Sequence, residues 1–223
     1  MNRRITAAIS GALLPFAAWP FAAWTETPWT EDSAVRQELA AGQVAVEVLS
    51  AGEGSRTRLR AAVKVNAAPE AIWSVLTDCD HAAGFIPGVK QCHRVQTAPD
   101  GSWEIIEQEA KYSWYMPTVR CVVRLDYKRP QRIDFKRVSG DLKEGSGDWR
   151  LLPDGRTDPP AGANPSRSAS AAGGPTIVEY ELNVEPGFWV PPGLLRHSLR
   201  SELPAALTAL RERAESVAAA HPP

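Results

Sequence analysis

The chain has almost no net charge: 25 Lys and Arg stand against 26 Asp and Glu, a formal charge of −1 over 223 residues. A nucleic-acid-binding domain normally carries a basic excess or stripe, so no nucleic-acid partner is expected. Cysteine is scarce as well. Cys79, Cys92 and Cys121 are the only three. Their spacing matches no zinc motif, and an odd number is not a disulfide framework. A single bridge, Cys79–Cys92, is one reading; three buried thiols acting as small apolar groups is the other. A glycine-rich phosphate loop, a nucleophile elbow and internal repeats are also missing. No metal, no cofactor and no catalytic residue are therefore expected.

What is present begins with a leader. Arg3-Arg4 precede Ile5–Trp24, an apolar run without a charge, which is the layout of a secretory signal peptide. Pro15 and Pro20 argue against a long membrane helix. Residues 1–23 are expected to be cleaved, giving an exported, periplasmic protein, although Phe21 stands where the cleavage pattern wants a small residue. Without cleavage the same segment is an N-terminal tether. The remainder, at 43% apolar and 23% charged, has the composition of one globular domain.

From Thr30 to Gly42 a short amphipathic helix is expected, with Val35 and Leu39 on one side. The run Gln43–Leu49 then alternates Val44, Val46 and Val48, and a second run alternates Leu59, Ala61, Val63 and Val65 with Arg58, Arg60 and Lys64. With Gly52-Glu53-Gly54 between them these read as a hairpin. Val63–Val89 breaks at Pro69 into a helix carrying Ile72, Trp73, Val75 and Leu76. A second helical turn, capped by Asp80 and bearing Phe85 and Ile86, stops at Pro87-Gly88. Strands follow at Val89–Gln96, Trp103–Lys111, Val119–Tyr127, Arg132–Val138, Asp148–Leu152 and Thr176–Val184. They form a one-sided antiparallel meander. Residues 153–175, with five Pro and four Gly, are a loop insertion with almost nothing to bury. A long helix closes the chain, its leucines recurring from Leu195 to Val217 at three- and four-residue spacing, with Pro204 inside it.

A sheet wrapped around a helix, with two short helices plugging one end, leaves space between the layers. The residues read as facing it are Trp103, Ile105, Val123, Leu125, Phe135, Trp149, Tyr180 and Leu182 from strands, and Leu195 and Leu199 from the helix. Trp73 and Phe85 contribute from the plug. Two aromatic loops read either as an entrance or membrane-touching rim or as a cover over the open end of the sheet: Tyr112, Trp114 and Tyr115 in one, Phe188 and Trp189 in the other. Periodicity alone does not separate a cavity lining from a filled core. A cavity above roughly 300 Å³ would separate them.

The order strand, Ala-Pro, Trp-containing helix, Thr77-Asp78 and Phe85-Ile86-Pro87-Gly88 carries a resemblance. So do Ile133-Asp134-Phe135, Ser139-Gly140-Asp141, Gly147–Leu151, Tyr180-Glu181-Leu182 and the Pro-rich entry to the last helix. Over residues 43–217 the chain resembles the START/birch-pollen-allergen-like (SRPBCC) superfamily, and within it the polyketide cyclase/lipid-transport group that contains the coenzyme Q-binding START proteins. The resemblance implies an α+β helix-grip fold: a curved antiparallel sheet wrapped around a long C-terminal helix, with two short helices after an early strand, over residues 43–219. It implies a binder of a hydrophobic small molecule (lipid, isoprenoid, quinone or polyketide-like) and no particular reaction. A non-catalytic carrier is therefore the first expectation, with transient membrane contact through the aromatic loops. The alternative is a cyclase- or dehydratase-type enzyme acting on a polyketide-like substrate in the same cavity.

The densest polar group is Asp78, Asp80 and His81. It is not read as a metal or acid–base site, because Asp80 serves as a helix cap and the two helices turn the groups apart. His93 and His197 are isolated. Glu107, Glu109 and Lys111 share a strand face with Trp103 and Ile105, and if that face is inward they supply the cavity's polar contacts.

Overall fold

The computed structural model describes residues 29–50, 56–111, 113–154 and 174–220. The leader, the Gly52-Glu53-Gly54 turn, Tyr112 and residues 155–173 of the insertion lie outside them. A 3₁₀ turn at Trp29–Glu31 leads into α1 (Ser33–Ala40). Asp32 caps α1, its Oδ1 accepting from the Ala34 N–H at 2.8 Å. The helix ends at Gly42, whose φ of +75° is the left-handed conformation that favours glycine.

Eight strands form one antiparallel sheet: β1 (Ala45–Ser50), β2 (Thr57–Val65), β3 (Val89–Thr97), β4 (Trp103–Ala110), β5 (Val119–Lys128), β6 (Arg132–Gly140), β7 (Leu142–Pro153) and β8 (Thr176–Pro186). Their order is β1-β2-β8-β7-β6-β5-β4-β3. The meander β3 to β8 thus closes back on the hairpin β1–β2, and β3 is left as an edge. Between β2 and β3 lie α2 (Pro69–Leu76) and α3 (Ala82–Phe85). Pro69 opens α2, where its missing N–H costs nothing, and Glu70 sits at the positive end of the helix dipole. The long helix α4 (Pro192–Ala220) continues through Pro204. This is the helix-grip arrangement.

α4 serves two purposes along its length. Its C-terminal half buries Leu207, Leu210 and Ala214 against Ile72, Trp73, Val63 and Val178 in the main core. Polar bonds fix it there: Glu215 accepts from the Asn66 N–H at 2.9 Å, and Arg211 donates to the Gly42 carbonyl at 2.8 Å. A smaller cluster of Val35, Leu39, Ala45 and Ala62 places α1 on the opposite face of β1 and β2. That face, which carries Arg58, Arg60 and Lys64 along β2, is covered here by α1.

Two local expectations change, and one open pair of readings is decided. β7 begins at Leu142, six residues before the strand read from the sequence. Asp80 does not cap α3; its carboxylate is bound by Arg94, and the residue at the cap is His81. Cys79 is past the end of α2 and is joined to Cys92 of β3 in a disulfide. Closing a loop of 13 residues' separation stabilises the fold by about 3 kcal/mol on chain-entropy grounds. It ties the α2–α3 connection to the edge strand.

Candidate functional site

Sheet register decides which side chains face α4. Directly paired residues on neighbouring strands share a face. The row Leu59–Leu182–Gly147–Phe135–Leu125–Glu104 crosses β2, β8, β7, β6, β5 and β4. All but Gly147 line an internal cavity of about 370 Å³. This volume lies within the usual range of ligand sites, about 300–1,000 Å³, so the space is a cavity and not a filled core.

The wall is overwhelmingly apolar. Three aromatic rings form one side of it. Trp149 and Tyr180 have centroids 4.1 Å apart, and Phe135 stacks on Tyr180 at 5.8 Å with 20° between planes. The arrangement depends on Gly147, because a β-carbon there would lie 2.6 Å from Phe135 Cζ and would collide with the Glu181 carbonyl oxygen. Leu195, Leu199, Leu203 and Ala206 of α4 supply the facing side. Val75, Leu76, Ala82 and Ile86 close one end with the Cys79–Cys92 bridge, and Met116, Pro117, Pro186 and Phe188 lie in the two aromatic loops.

The polar groups in this wall are few. Asp78, Glu104 and Glu202 are its carboxylates, and no Lys, Arg or His belongs to the lining among the described residues. Glu104 is 5% exposed and is paired with Arg94, whose Nε lies 3.2 Å from Oε2. Arg94 also donates to the Thr77 carbonyl at 2.8 Å, so one guanidinium joins β3, β4 and the α2–α3 connection. Burial, with the Glu104 carboxylate beside it, pushes the Tyr127 phenol well above its usual range. Asp78 accepts from the His81 ring at 2.8 Å, so the two residues meet after all; Asp80 turns away to Arg94. Among the described residues no cluster of three or more His, Cys, Asp or Glu could hold a metal ion.

Nine of the seventeen residues read as ligand-facing lie in the cavity wall: Val123, Leu125, Phe135, Trp149, Tyr180, Leu182, Phe188, Leu195 and Leu199. Trp103 and Ile105 do not. Glu104, paired with inward Leu125, fixes the even-numbered face of β4 as the inner one, and Trp103 instead lies on the outer face with the Arg124 guanidinium 4.3 Å from its ring. Glu107 and Glu109 share that outer face. Arg120 grips Glu107 with bonds of 2.8 and 2.6 Å and holds its carboxyl below the usual range. The inner positions are Glu104, Ile106, Gln108 and Ala110, which the sequence reading missed.

Trp73 is buried in the core, 5.4 Å from Tyr127 in an edge-on contact, and not in the wall. Phe85 packs against the same core, while its neighbours Ala82 and Ile86 reach the cavity. Trp114 is 88% exposed, with Tyr115 edge-on at 5.6 Å. Trp189 is also 88% exposed and flanks a smaller hollow with Lys143 and Pro192. Tyr112 is outside the described residues.

Cys121, the free thiol, lines the cavity. Burial pushes its pKa above the ordinary thiol value. A raised pKa means less thiolate at neutral pH, hence slow alkylation that accelerates as pH rises beyond the usual cysteine range. Occupying the cavity with an apolar guest is expected to slow the reaction further. The check is iodoacetamide labelling followed by intact mass, with and without a fluorescent lipid; an unchanged rate would place Cys121 away from the guest.

Residues 65–211 match the profile of the family described as polyketide cyclase/dehydrase and lipid transport, which spans well over half of the sequence. The chain belongs to this family. No curated protein matches the sequence at a significant level. Among solved structures, the STAR-related lipid transfer protein of Xanthomonas axonopodis is similar over 77% of this chain and 93% of its own, with a TM-score of 0.61 and 17% identity. A START superfamily protein from Mycobacterium smegmatis covers 72% and 98%, with a TM-score of 0.56 and 17% identity. The Zhui aromatase/cyclase of Streptomyces sp. R1128 covers 72% and 94%, at 0.52 and 15%. At these identities the likeness is one of fold. Cyclases and lipid-transfer proteins share it, so the polyketide cyclase/lipid-transport grip leaves carriage and catalysis to be separated by the site itself.

Proposed function

We propose that this chain is an exported carrier of a hydrophobic small molecule, loaded and released at a membrane surface. The observation that carries the proposal is the apolar cavity of about 370 Å³ between sheet and α4. A dry, apolar space of this size gains free energy when an apolar guest fills it. The polar inventory favours carriage over catalysis: no imidazole, ammonium or guanidinium lines the wall among the described residues, so proton transfer there would rest on carboxylates. The cyclase reading retains one favouring observation, the carboxylate of Glu202 inside the same cavity. Turnover of a polyketide-like substrate that is lost in Glu202→Gln would decide for it.

Export is supported by the Arg3-Arg4 start and charge-free Ile5–Trp24 run, and by the Cys79–Cys92 bridge, since such bridges persist in oxidising compartments. No helix among the described residues is long and apolar enough to cross a membrane. Intact mass of the periplasmic fraction should give a chain lacking residues 1–23; full-length protein confined to the cytoplasm would refute export.

Membrane contact is assigned to Trp114 and Trp189. The loop holding Trp114 packs on the first turns of α4 through Ser113, and the loop holding Trp189 leads directly into α4, so both lie at one end of the grip. Exposed tryptophans suit the interfacial zone of a bilayer. Replacing both by Ser is expected to slow transfer of a fluorescent lipid between vesicles by about thirtyfold, each buried ring contributing on the order of 1 kcal/mol. Equilibrium binding of the same lipid should stay within about twofold. Undiminished transfer would exclude this docking surface.

A further inference from the structure

One hydrogen-bonded polar cluster sits on the α4 side of the mostly apolar wall. Ser113, 9% exposed, and Ser198, 4% exposed, have hydroxyl oxygens 3.0 Å apart, and Ser113 donates to Glu202 Oε1 at 3.3 Å. Ser198 and Glu202 lie one helical turn apart on α4, and both line the cavity.

The proton count of this cluster is informative. A serine hydroxyl has one proton to donate. If that of Ser113 goes to Glu202, the bond between the serines uses the proton of Ser198. What the cluster then offers to the cavity is acceptors only: lone pairs on Ser198 Oγ and on the Glu202 carboxylate. No cation lines the cavity to offset that charge among the described residues. We infer that the Ser113–Ser198–Glu202 cluster recognises the polar end of the guest, and that this end is a neutral hydrogen-bond donor such as a hydroxyl. An anionic carboxylate or phosphate finds no donor there and faces a like charge. The inference rests on the carrier reading and narrows it to hydroxyl-bearing hydrophobic molecules.

Three probes with one tail separate the possibilities: farnesol, its methyl ether and farnesoic acid, each displacing the neutral dye N-phenyl-1-naphthylamine at a pH well above the carboxylate range. Farnesol is expected to bind roughly tenfold more tightly than the ether, which lacks the donor, and at least as far above the acid. Glu202→Gln removes the negative charge and adds an N–H donor. It should raise affinity for the acid and lower it for farnesol, shrinking the gap about tenfold. General damage to the fold would weaken all three together and cannot reverse one against another. Equal binding of the three probes by the native protein, or a uniform change in Glu202→Gln, would overturn the inference while leaving the carrier reading standing. Failure of the dye and all three probes to bind would overturn both.

Discussion

Ala206→Phe is expected to abolish uptake of apolar ligands while the protein remains folded. Ala206 sits on the cavity side of α4, between Leu203 and the fully buried Leu207. A phenyl ring there enters space that is already empty, so it displaces guest volume without needing the core to move. The cavity of about 370 Å³ has little room to spare against the lower limit for ligand sites. Affinity for a fluorescent lipid should fall by tenfold or more. Stability should change by less than about 1.5 kcal/mol, the usual limit for a substitution that fits its surroundings. Titration of the lipid and a thermal melt on the same sample check both halves. Retained affinity would mean that the guest lies elsewhere.

Gly147→Val is expected to do the reverse and damage the fold itself. The added β-carbon meets the Glu181 backbone oxygen, which belongs to the β7–β8 ladder and cannot swing away as a flexible side chain would. It also meets the Phe135 ring, whose stacking on Tyr180 builds the aromatic side of the cavity. Overpacking of this kind costs about 3 kcal/mol. For a domain of this size that lowers the melting temperature by roughly 6–12 °C. Loss of the near-ultraviolet signal from Trp149 and Tyr180 should accompany it. A melt unchanged from that of the native protein would contradict the close approach of Phe135 to Gly147.

These two substitutions also mark what the sequence disclosed and what it concealed. The order of elements was legible because each has a local cause: Pro69 opens a helix, alternating Val119–Tyr127 makes a strand, and the leucine stripe makes α4 amphipathic. The resemblance in Val63–Val89 then gave the arrangement. The first half of β7 was not legible. Gly145 and Gly147 look like turn residues until Phe135 is seen to lie over Gly147. Strand faces were legible only where apolar residues alternate cleanly. On β4 large apolar side chains occur on both faces, Trp103 and Ile105 on one and Ile106 on the other. Pairing of Glu104 with Leu125 is a long-range fact that chooses between them. Glu202 was not among the residues read as facing the cavity, because a charge by itself points to solvent. Its spacing from Leu195, Leu199 and Leu203 places it on the inner stripe instead.

The account stands most directly on whether the cavity holds a guest. Protein isolated from its own host without detergent, denatured in organic solvent and examined by mass spectrometry, should release a hydrophobic molecule in near-stoichiometric amount, carrying a hydroxyl and no anionic headgroup. An Ala206→Phe sample prepared in parallel should release almost none. An extract from the native protein that is as empty as that of the variant, in a protein that also fails to take up a fluorescent lipid, would contradict it.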